Sequence, residues 1–77
     1  MNERTTRTRT VDESERIRNQ IDTLRSEHRQ LKQALGQFES RLWLSNEEQV
    51  ERKNLQKLKL LKKDQIAALS MKLRALD

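Results

Sequence analysis

The chain has 77 residues, of which 38 % are charged and only 32 % hydrophobic, with a net charge of +5 and neither Cys nor Pro. An ordinary globular domain is about 45–50 % apolar and about 25 % charged, so this chain holds at most one thin core, with no disulfide or zinc cluster to staple it. A concave, water-excluding enzyme scaffold is thereby excluded, and no apolar stretch is long enough for a signal peptide or a membrane span; a soluble cytoplasmic protein is the expectation.

Residues 1–11 open the chain without periodicity. Residues 1–10 contain three arginines, one glutamate and four threonines. That composition predicts a solvated, basic, disordered tail.

From residue 12 the pattern changes. Ile17, Ile21, Leu24, His28, Leu31, Leu35, Phe38 and Leu42 follow one another at alternating spacings of four and three. This is the heptad rule, and it predicts one amphipathic helix over 12–43 with these residues on its seam. Asp12, Glu13 and Glu15 sit where a helix start favours negative charge. Gly36 falls inside the pattern, where it costs about 1 kcal/mol relative to Ala. Its place suggests close approach of a neighbouring helix, not the end of this one.

Ser45-Asn46-Glu47-Glu48 is the best turn signal. Ser45 and Glu48 have capping-box spacing, in which hydroxyl and carboxylate each accept a backbone N–H. A turn at 44–46 and a second helix over 46–76 follow. Two arms of equal length with a short connection predict a helical hairpin.

The second arm carries Leu55, Leu58, Lys62, Ile66, Leu69, Leu73 and Leu76 on its expected seam. Two successive spacings of four around Lys62 read as a stutter. Leu60 and Leu61 flank it and widen the apolar stripe.

Three features are candidate sites. Arg52, Lys53, Lys57, Lys59, Lys62 and Lys63 form a basic strip suited to phosphates or anionic lipid. The plainer reading is a solvated face whose lysine stems cover the seam. Its arm, 45–77, carries eight basic and five acidic residues, whereas 12–44 has six of each. Leu42-Trp43-Leu44 places three apolar residues in succession at the tip, too many for one seam. With Leu60 and Leu61, Trp43 and Leu44 are candidate partner contacts, weighed against local closure of the hairpin end or a hydrophobic staple. His28 on the seam sets register or partner choice, because a lone His without Cys or further His is a poor metal site. No catalytic residue, metal ligand or cofactor motif is identified.

The stretch Leu24-Arg25-Ser26-Glu27-His28-Arg29-Gln30-Leu31, then Leu44-Ser45-Asn46-Glu47-Glu48, then Leu55 through Ile66 resembles the YdcH-like family of small bacterial proteins. The likeness covers about residues 17–69. Its second-arm phrase, Leu58-Lys59-Leu60-Leu61-Lys62-Lys63-Asp64-Gln65-Ile66, departs by one extra residue and by Gln65 in place of Glu. The resemblance implies a bacterial cytoplasmic protein and a hairpin, and it implies no activity.

The sequence therefore predicts an all-α protein of two long antiparallel helices, dimerising into a four-helix bundle. Its expected role is non-enzymatic: an adaptor that self-associates and binds a protein partner. Nucleic-acid binding through the tail and second arm, a secretion-type chaperone role and peripheral membrane association are the alternatives. One continuous helix in a parallel dimer is the rival topology.

Overall fold

The computed structural model describes the backbone of residues 2–76 and the side chains of residues 13–76. Two helices, α1 over Asn2–Glu39 and α2 over Asn46–Leu76, pack against each other as a hairpin. The molecule is a rod, 63 × 17 × 16 Å. The single continuous helix is thus not the topology.

Helix α1 is bounded at Asn2 and not at residue 12. No Gly or Pro lies between residues 2 and 35 to interrupt it. The expected disordered tail falls on residues whose side chains lie outside those described.

At its other end α1 stops at Glu39, short of the expected 43. There the ladder tightens: the amide of Ser40 donates to the Gly36 carbonyl at 3.2 Å and that of Arg41 to the Phe38 carbonyl at 3.2 Å. The Ser40 hydroxyl also donates to the Gln37 carbonyl at 2.9 Å. The Ser40 bond is still helical, four residues back, and the Arg41 bond, three back, closes the last turn.

The core is a seam. Ile17, Ile21 and Leu35 of α1 are buried, while Leu24, His28, Leu31 and Phe38 are half-buried. Helix α2 buries no residue fully. Beyond Glu48 in its first turn, its half-buried positions are Leu55, Lys59, Lys62, Ile66, Leu69, Ser70 and Leu73.

That set corrects the expected register. Leu55, Lys59, Lys62, Ile66, Leu69 and Leu73 recur at four, three, four, three and four, an unbroken heptad. Leu58, expected on the seam, is 43 % exposed, and Leu76 is 39 % exposed. The reason lies in the partner. Helix α1 keeps an unbroken heptad from Ile17 to Phe38, and a stutter in one helix alone cannot stay in step with it. Helix α2 therefore gives up Leu58 and seats two lysines on the seam.

Gly36 is exposed, and a Cβ built there meets nothing within 4 Å. It does not serve a close approach within the hairpin.

Candidate interaction surfaces

Three surfaces emerge around the seam: the tip, and two flanks of opposite character. The tip is the connection over residues 40–45. Ser45 caps α2, its hydroxyl accepting from the Glu48 amide at 3.1 Å while Glu48 Oε1 accepts from the Ser45 amide at 3.0 Å. The Ser45 carbonyl starts the helix ladder by accepting from the Gln49 amide at 2.9 Å.

The other carboxylate oxygen of Glu48 takes a hydrogen bond from the Arg41 guanidinium. The Ser45 amide is the largest influence and holds the Glu48 carboxyl below its ordinary value; desolvation, next in size, pushes the other way, and the Ser45 hydroxyl and Arg41 add to the lowering. One side chain thus ties the end of α1 to the start of α2.

A hydrophobic staple does not form. The residue four beyond the cap is Gln49, whose amide donates to the Leu44 carbonyl at 3.3 Å instead. Leu44 is half-buried. Leu42, expected on the seam, is fully exposed, and Trp43 is 74 % exposed. The early end of α1 explains the correction. Once the helix stops at Glu39, residue 42 no longer continues its heptad and points off the tip.

The middle of the seam is polar. Lys62 Nζ lies 3.4 Å from Glu27 Oε2, an ion pair across the helices. His28 and Lys59 are half-buried in the same stretch. Such a polar break in an apolar seam specifies register at some cost in stability. Among the described residues no group of three or more His, Cys, Asp or Glu is placed to hold a metal ion.

On one flank runs an open groove lined by Arg16, Asn19, Gln20, Thr23, Leu24 and Glu27 of α1 and by Gln65, Ala68 and Leu69 of α2. It continues past Glu27 to Gln30, Leu31, Leu58 and Lys62. At about 100° per residue, Ala34, Val50 and Leu61 fall on the same flank. Val50, Leu58 and Leu61 are exposed. Amide and aliphatic groups predominate on this flank, and its charges, Arg16, Glu27, Glu51 and Lys72, are two of each sign.

The same helical spacing puts Arg18, Arg25, Arg29 and Lys32 of α1 on the opposite flank, together with Arg52, Lys63 and Arg74 of α2. All seven are exposed. None of them forms an ion pair among the described residues. Glu39, seven residues beyond Lys32, shares their stripe, and Glu15, Asp22 and Asp64 stand at its outer edge.

The basic strip expected on α2 is therefore divided. Lys59 and Lys62 belong to the seam, Lys57 points away from α1, Lys53 lies at the outer edge, and Arg52 and Lys63 join the arginines of α1. Sequence reasoning missed those α1 arginines because its first arm is electrically neutral in sum. Their common stripe was readable at the spacings 18, 25, 29 and 32, but which α2 residues share it depends on packing. Leu60 is exposed near this flank, on the outer side of α2.

No helix of the described residues is long and apolar enough to cross a membrane. A family model described as "Protein of unknown function (DUF465)" matches residues 21–70. No curated protein and no solved structure gives a match to the chain.

Proposed function

The chain belongs to the DUF465 family, the small bacterial family that its YdcH-like phrases resemble, and on that premise we propose that it is a non-enzymatic interaction module. It self-associates through the groove flank, acts in the cytoplasm, and offers its apolar tip to a protein partner.

The observation that carries this reading is the exposure of Leu58 at 43 %, Leu61 at 50 % and Val50 at 60 % beside a groove with few charges. Apolar groups on a helix flank next to a seam are what a second helix pair covers in a four-helix bundle.

Sedimentation equilibrium tests the reading. The wild-type chain should sediment as a dimer and Leu58→Glu/Leu61→Glu as a folded monomer. A wild-type chain that stays a stable monomer at high concentration would sink it.

The protein partner rests on Leu42 and Trp43, which stand out from a turn tied down at Ser45, Glu48 and Arg41. A rigid tip carrying an exposed Trp has the form of an interface anchor. A photo-crosslinker at position 43 should trap one protein in a stoichiometric adduct, and trapping only copies of this chain would remove that part of the proposal.

A further inference from the structure

The basic flank is a second, separate surface, and it needs no part of the self-association reading. Its charges come from both helices, whereas the groove flank opposite has few. A merely solvated surface has no reason to sort charges this way, since scattered ions solubilise a rod equally well.

Part of the flank repeats along the rod. Arg52, Lys63 and Arg74 are each 11 residues apart, and Arg18 and Arg29 are 11 apart as well. Eleven residues are three helical turns and span about 16.5 Å. Because the arms run antiparallel and Glu27 meets Lys62, Arg25 lies at the level of Lys63, with Arg29 within one helical turn of it and Arg18 within one turn of Arg74. Basic groups from both helices thus gather at successive levels along the rod axis, with Lys32 following on α1.

A line parallel to the axis of duplex DNA crosses one of its two backbones every half-turn on average, about 17 Å for a helical turn of about 34 Å. The repeat matches that interval. The rod, 17 × 16 Å in section, is too broad to enter a major groove about 12 Å wide. It lies along the outside. We propose that this flank binds the phosphate backbone of duplex DNA, without reading sequence, by bridging successive backbone crossings with Arg18/Arg74, Arg29/Lys63 and Arg52.

Two alternatives fit less well. Single strands are held largely by stacking on aromatic side chains, and the one Trp stands at the tip. Membrane-surface helices pair their basic residues with a continuous apolar face, and here Leu58, Leu61 and Val50 are on the other flank.

The test is fluorescence anisotropy of the full chain with a labelled DNA duplex of about two turns, followed as a function of salt. Binding should be measurable at about 50 mM salt and fall steeply on a log–log plot, with a slope near −0.9 per phosphate contacted. The variant Arg29→Gln/Lys63→Gln should flatten that slope by about 1.8. Lys57→Gln/Lys72→Gln, equal in charge but off the flank, should change it by less than half as much. Charge-conserving Arg29→Lys/Lys63→Arg should keep the slope, and helical circular dichroism checks that each variant is folded. Absence of binding at about 50 mM salt would overturn the proposal. So would equal losses in the two Gln variants, a single strand of the same sequence binding as tightly as the duplex, or capture by anionic vesicles alone.

Discussion

Glu48 serves both ends of the hairpin turn at once, accepting from the Ser45 amide with one oxygen and from Arg41 with the other. Its carboxyl titrates below its ordinary value of 4.5, so the folded chain holds the proton less tightly than the unfolded one. The stability this adds is present above pH 4.5 and is lost as pH falls through the lower folded value. Thermal melts of wild-type and Glu48→Gln should therefore differ most near neutral pH and converge in acid. A gap that stays constant down to about pH 2 would show that charge at position 48 is not what the cap uses. Gly36 makes the opposite kind of case. With no positive φ and nothing within 4 Å of an added Cβ, Gly36→Ala should stabilise by up to about 1 kcal/mol. That corresponds to a rise of roughly 4–8 °C in melting temperature for a chain of this size.

Between the helices, continuity of the heptad overrides the hydrophobicity of individual residues. Leu58 is more apolar than Lys59, yet Lys59 is the half-buried one, because α2 must keep step with an α1 seam that has no break. The lysine stems supply methylenes to the seam while their ammonium groups reach its edge. Burial separates residues that look alike in sequence. Leu35→Ala removes a buried side chain and should cost about 2–5 kcal/mol. Leu42→Ala, seven residues on in the same apparent heptad, removes an exposed one and should stay within about 0.5 kcal/mol. Chemical denaturation of the two variants measures both, and comparable losses would contradict the end of α1 at Glu39.

The whole rod exposes more surface than a compact domain of its mass. Its accessible area is 6698 Å², against about 4,900 Å² from the scaling for a 9.2 kDa monomer. An elongated two-helix rod always carries some excess. The difference is nonetheless of the order that a standard interface buries, about 1,600 Å². If the groove flank is that interface, the melting temperature should rise with protein concentration in the wild type and stay flat in Leu58→Glu/Leu61→Glu. A second copy on that flank leaves the basic flank of both copies open, so the two proposals are compatible and can fail separately.

The amino-acid sequence by itself determined the all-α class, the hairpin and the α1 seam from Ile17 to Phe38. These follow from periodicity and cap chemistry, which act between residues close along one chain. Packing decided what depends on the other helix. The α2 register at Lys59 and Lys62, the release of Leu42 and Leu58, and the sorting of charge onto one flank all require knowing which face of α1 lies opposite. A heptad states which residues of one helix line up; only the packed pair decides which stripe is covered and which charges from two helices become neighbours.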